Sequence, residues 1–164
     1  MTMEEINRLD RPGFVAALGA VFEDSPWVAE RAWTHRPFAG LTSLHEAMTH
    51  QVLASSRDEQ LTLLRAHPDL GARARMSASS EQEQAGAGLD RLTPAQYEHL
   101  TSANARYRER FGFPFLFAVK GSTKEDVLAA LDRRRVASPD EERAEAMRQV
   151  YKIARFRLDE LLPG

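Results

Sequence analysis

The feature that most constrains this chain is its density of helix-start signals. Thr2 with Glu5, Ser56 with Glu59, Thr93 with Gln96, Ser122 with Glu125 and Ser138 with Glu141 all have capping-box spacing. In such a pair the hydroxyl accepts from the third helical amide while the later side chain reaches back to the cap. Pro26, Pro94 and Pro139 each follow a Ser or Thr, which places them at the favoured first helical position. Gly112 follows Phe111, where a long helix is expected to stop on a glycine. Met147, Tyr151, Ala154, Leu158 and Leu161 step by three or four and predict an apolar stripe on the last helix. Leu61 with Leu64, and Val127 with Leu128 and Leu131, repeat the pattern on shorter helices. The expected fold class is all-α: eight or nine helices and no sheet. Helices are expected near 3–9, 13–23, 26–35, 43–55, 57–66, 80–87, 94–111, 123–135 and 139–162.

One segment resists the pattern. "FGFPFLFAVKG", residues 111–121, is apolar and aromatic with Pro114 inside it. No second convincing strand exists to pair with it, and a lone strand leaves its backbone groups unpaired. It reads as a buried connector between two helices. Its amides and carbonyls need partners, which a core-filling loop or a polar ligand could each supply. The stretch 68–92 is the least regular and is expected at the surface or across a cleft.

Length and composition narrow the function. The 164 residues fit one domain with a real core, expected here as a single domain over 1–164. A net charge of -2 shows no basic excess of the kind nucleic-acid binders carry. The basic run Arg133-Arg134-Arg135 falls near a helix C-terminus, where cations complement the helix dipole. The absence of cysteine removes thiolate nucleophiles, disulfides and thiolate zinc sites, and suits a reducing cytosol. No apolar run approaches the roughly 20 residues of a membrane span. A secretory leader core and a Ser-Lys-Leu tail are both missing. Neither a Gly-rich phosphate loop nor a Gly-x-Ser-x-Gly elbow is present.

Histidines are the first candidates for chemistry. His45 and His50 in "HEAMTH" are five apart, about 140° around a helix, so they share no metal easily. His35 and His99 are expected on polar faces in solvent. His67 differs, because Pro68 forces the chain to turn directly after it and Asp69 and Gly71 follow in the turn. A helix C-terminus favours the imidazolium, which suits a general acid near neutral pH. The alternative is a histidine that only caps its own helix. Ser80 and Glu83 have capping-box spacing, which is a sufficient structural explanation for both. A helix start also offers amides to a polar ligand. Arg157 borders the apolar stripe, either snorkelling from the core edge or reaching to grip a carboxylate.

Five stretches then occur in order: "SPWVAERAWTHRPF" (25–38), "AHPDLG" (66–71), "SSEQEQAGAGL" (79–89), "FGFPFLFAVKG" (111–121) and "KIARFRLDELL" (152–162). Together they resemble 2-oxo-4-hydroxy-4-carboxy-5-ureidoimidazoline (OHCU) decarboxylase, over residues 5 to 162. The resemblance implies an all-α fold, neither metal nor organic cofactor, and often a homodimer; the missing peroxisomal tail makes a cytoplasmic member the expectation. It further implies a carboxy-lyase of urate degradation whose product is (S)-allantoin. It makes His67 and Glu83 catalytic. It makes Pro68, Ser80, Gln84, Arg157 and the segment Phe113, Phe115, Phe117, Ala118 and Val119 substrate contacts, the last through backbone groups. Arg155 competes with Arg157 for the arginine's place. Two other readings stand beside it: a different cofactor-free lyase or hydrolase on the same scaffold, and a non-catalytic helical interaction module.

Overall fold

The computed structural model describes residues 1–71 and 77–163. Among them the regular elements are all helical: α1 (Met3–Arg8), α2 (Arg11–Leu18), α3 (Trp27–Ala32), α4 (Leu41–Leu53), α5 (Arg57–Ala66), α6 (Ala78–Gly86), α7 (Pro94–Phe111), α8 (Lys124–Arg134) and α9 (Pro139–Leu161). A single 3-10 turn, Trp33–His35, extends α3. No helix among the described residues is long and apolar enough to cross a membrane. The all-α expectation therefore holds.

Most caps form where the spacing put them. Thr2 and Thr93 make reciprocal capping boxes with Glu5 and Gln96, and Ser56 does the same with Glu59. Ser138 Oγ accepts from the Glu141 amide at 3.3 Å. Gly112 ends α7 at φ 80°. Others are corrected. The box at α8 is Thr123 with Asp126, not Ser122 with Glu125. Ser122 instead donates its amide to the Val119 carbonyl. The helix expected over 13–23 starts at Arg11 behind an Asp10 cap and stops at Leu18, because Gly19 and the following residues turn away. The stripe on α9 also shifts. The buried positions are Glu142, Ala146, Gln149, Val150, Ala154, Arg157 and Leu158, while Leu161 is 44% exposed.

By density of internal contacts the chain divides into two units, Met1–Ala66 with Tyr151–Gly164, and His67–Val150. The first contains α1 to α5 and the end of α9. Ile6, Phe14, Leu18, Leu44, Met48, Leu63 and Leu64 are among its fully buried side chains. Trp33 Nε1 donates to the Leu9 carbonyl at 2.9 Å, and the Arg36 guanidinium lies 3.9 Å from the Trp33 ring centroid.

The second unit contains α6, α7, α8, the start of α9, the connector 113–119 and the turn 67–71. Tyr107 is its aromatic hub, set edge-on to both Phe113 and Phe115. The Tyr107 hydroxyl donates to Glu142 Oε1, which also lies 2.5 Å from Arg134 Nη2. Burial first, and then the hydrogen bond to Glu142, push the phenol above its usual range, so it remains a neutral donor. Arg134 thus sits at the helix C-terminus expected for the basic run. Yet it turns inward, 7% exposed, rather than into solvent.

Two outcomes follow for stability. Gly71 sits at φ 72°, and a Cβ there would lie 2.4 Å from Leu100 Cδ2. Gly71→Ala is expected to cost about 2–4 kcal/mol, from left-handed strain plus overpacking; urea denaturation measures it. Arg134→Met leaves the Glu142 carboxylate buried without its cation, and the same measurement is expected to show a loss of about 3–5 kcal/mol.

Candidate active site

His67 is the first residue beyond α5 and is 5% exposed. The turn it opens is held residue by residue. Asp69 Oδ1 accepts from Arg108 Nη2 at 2.9 Å. The Leu70 carbonyl accepts from Asn104 Nδ2 at 3.0 Å. The Gly71 amide donates to Gln84 Oε1 at 2.8 Å. A polar turn buried in this way needs each backbone group matched, since an unpaired one costs about 1–3 kcal/mol. Here α6 and α7 supply the matches from side chains. Asn104 and Arg108 are one helical turn apart, so a single face of α7 delivers both.

α6 begins earlier than its spacing suggests. Ser77 is the cap, its Oγ accepting from the Ser80 amide at 3.1 Å. That removes the capping explanation for Ser80 and Glu83, since both lie inside the helix. Their separation of three residues, with Gln84 one further, instead puts all three on one face. Ser80 and Gln84 are 5% and 6% exposed, and Glu83 is half-buried. Gln84 binds the Gly71 amide, so this face meets the His67 turn. The stretch 68–92 is therefore only partly at the surface, with Glu81, Gln82, Gly86, Asp90 and Arg91 exposed. Leu70, Gly71, Ser80, Gln84, Ala87, Gly88 and Leu89 are all buried, while its part at 72–76 lies outside the described residues.

The connector is non-strand, as expected. Phe113, Phe115, Leu116 and Val119 are buried, and Phe117 and Ala118 are half-buried. The Phe115 and Phe117 rings stack at 6.2 Å. The Leu116 carbonyl accepts from Arg134 Nη1 at 2.5 Å, and the Ala118 amide donates to Gln149 Oε1 at 2.9 Å.

The first unit separates the two arginines. Arg157 is 5% exposed, its Nη2 2.8 Å from Glu23 Oε2 and its Nη1 3.2 Å from the Ala20 carbonyl. Arg155 faces outward, bonded to Asp159 Oδ1 and Thr42 Oγ1, each at 3.1 Å. His45 donates from Nε2 to the Tyr151 carbonyl at 2.8 Å, and His50 is exposed. His35 and His99 are exposed as expected, beside Gln51 and Asp132 respectively.

Spacing alone did not single out Asn104, Gln149, Glu142 or Glu23. The signals available were faint: Asn104 and Arg108 at helical spacing after Leu100, and Gln149 flanked by Ala146 and Val150 on the apolar side of α9.

Comparison with known proteins bears on this arrangement. A family model described as OHCU decarboxylase matches residues 7–159. A 2-oxo-4-hydroxy-4-carboxy-5-ureidoimidazoline decarboxylase of Haloferax volcanii is 49% identical, covering 98% of this chain and 95% of the relative. One from Halalkalicoccus jeotgali is 47% identical, covering 98% and 92%. The crystal structure of an (S)-allantoin synthase superposes with a TM-score of 0.82 at 34% identity, covering 99% of this chain and 54% of that one. From the match across 7–159 and near-complete alignment to these relatives, the chain belongs to the OHCU decarboxylase family.

Proposed function

We propose that this protein is a carboxy-lyase that converts 2-oxo-4-hydroxy-4-carboxy-5-ureidoimidazoline to (S)-allantoin and CO2 in urate degradation. One observation carries the reading beyond family membership. The turn bearing buried His67 is bonded, through Gly71 and Gln84, to the α6 face that also carries Ser80 and Glu83.

The substrate's chemistry explains why so few groups suffice. The carbon that loses CO2 also carries a hydroxyl and adjoins a ring C=N bond. When the bond to the carboxylate breaks, its electron pair moves into the ring toward that nitrogen, so no external electron sink is required. The nitrogen takes a proton. The hydroxyl then gives up its proton as the carbonyl forms, and the ureido-bearing carbon receives one proton on one face. Two protons are added and one is released, leaving a net demand for one from the protein. In this reading His67 and Glu83 are the acid–base pair. The helix end behind His67 favours the cation that donates. Ser80, Gln84, Pro68 and backbone groups of Phe113, Phe115, Phe117, Ala118 and Val119 orient the ring. Arg157 is kept as a contact for the substrate's carboxylate or ureido group on the resemblance alone. Its own surroundings are those of a buried pair with Glu23. A cytoplasmic homodimer completes the proposal, and light scattering of the purified protein checks the dimer.

The deciding assay generates substrate from urate by enzymatic oxidation and hydrolysis and follows circular dichroism. The expected result is faster product formation with a single hand. Slow formation of racemic allantoin would favour a different lyase or hydrolase activity. For His67→Asn, kcat/KM is expected to fall about 10²–10⁴-fold, the usual worth of general acid–base catalysis. Glu83→Gln is expected to fall by at least about 10²-fold on the same ground. Far-ultraviolet spectra confirm that each variant is folded; full activity in either would remove that residue from the acid–base pair.

A further inference from the structure

Two helix side chains hold the backbone of the connector. Arg134 holds the Leu116 carbonyl and Gln149 holds the Ala118 amide, with Phe117 between them. Among the described residues, the amides of Phe115, Leu116 and Phe117 make no hydrogen bond. Phe115 and Leu116 are buried residues, and backbone donors in such positions normally have partners.

The orientation of the Gln149 carboxamide is itself determined. Its Nε2 donates to Glu145 Oε1 at 2.8 Å, one helical turn earlier on α9. Arg148 approaches the other oxygen of the same carboxylate at 2.8 Å. Burial works against the Glu145 charge, but the hydrogen bonds from Gln149 and Arg148 outweigh it and hold the carboxyl below its usual range. Ionised Glu145 can only accept. It therefore takes the nitrogen end of Gln149 and leaves the oxygen end for Ala118. Arg148, Glu145, Gln149 and the Ala118 amide thus form one ordered chain, with a partly exposed ion pair at one end and the connector backbone at the other.

We propose that Gln149 is a positioning residue for the decarboxylation, fixing the backbone of 116–118 so that neighbouring amides present themselves to the substrate ring. The inference rests on the reading above, in which this segment contacts substrate. Gln149 acts through the backbone and touches no reacting atom. Its loss is therefore expected in binding rather than in the proton-transfer step.

The test is steady-state kinetics on the intact protein with substrate generated from urate, alongside thermal melts. Gln149→Met is expected to raise KM about tenfold, the scale of one lost hydrogen bond, with kcat within about threefold of wild type. The double variant Gln149→Glu with Glu145→Gln exchanges donor and acceptor at the inner bond while keeping an oxygen for Ala118. It is expected to bring KM back to within about twofold. Should Gln149→Met fail to fold, Glu145→Ala decides: it frees the carboxamide to rotate at a partly exposed position, and KM is expected to rise about threefold. A lowered melting temperature with unchanged KM in Gln149→Met would make the role structural and overturn the inference. So would a double variant as impaired as the single, or an unchanged KM in Glu145→Ala where that variant decides. A wild-type protein that turns over no substrate would remove the functional reading and this inference together. A fully active wild type with unaffected variants would remove this inference alone.

Discussion

The structure depends at its centre on the pairing of three consecutive residues after His67. A chain that turns sharply inside a protein exposes backbone groups that water can no longer reach, and each must find another partner. Here the backbone partners are side chains of Gln84 and Asn104, while Arg108 holds the Asp69 carboxylate of the same turn. For the proposed role of His67 the consequence is geometric as well as energetic. A histidine on a flat helix face samples several rotamers, whereas one at the head of a turn pinned at Asp69, Leu70 and Gly71 has its backbone direction set in advance. Fixed geometry of this kind is what proton transfer requires, since misplacement of about an ångström costs orders of magnitude in rate.

The same device recurs in the connector. Phe113 to Val119 form neither helix nor strand, yet the segment is largely buried, so it too relies on side chains from neighbouring helices. The buried Arg134–Glu142–Tyr107 cluster holds one carbonyl and stacks the guanidinium over Phe115, with 4.6 Å to the ring centroid. Such buried charge clusters stabilise less than their short distances suggest, because desolvation offsets most of the attraction. Their value lies in specifying one arrangement of an irregular segment. In an all-helical protein the irregular pieces lack a ladder to hold them, and polar side chains on the helices take over that task.

The helices were legible because their signals are local. Thr2, Ser56, Thr93 and Gly112 act within one turn of themselves, and spacing reveals them. Spacing failed where two hydroxyls compete for one cap. Ser122 and Thr123 are adjacent, and Ser77 and Ser80 are one turn apart, so the same pattern fits either choice. At α6 the difference mattered: once Ser77 is the cap, Ser80 and Glu83 are released to a shared face with Gln84. Polar residues on apolar faces were the other blind spot. Glu142, Gln149 and Arg157 occupy stripe positions on α9, and a period that scores only hydrophobic residues slides to Met147, Tyr151 and Leu161 instead. Of the proposed site, His67 stood out through Pro68, Asp69 and Gly71. Asn104 and Gln149 did not, because their partners are backbone groups far away in sequence.

The most direct test of the account is a titration of the uniformly labelled protein with (S)-allantoin, followed by backbone amide and histidine side-chain resonances. Shifts are expected to concentrate at His67 and Gly71, at Ser80 to Gln84, and at Phe115 to Val119, with His67→Asn weakening them. Shifts gathered elsewhere, with the His67 ring and the connector amides unmoved at saturation, would contradict it.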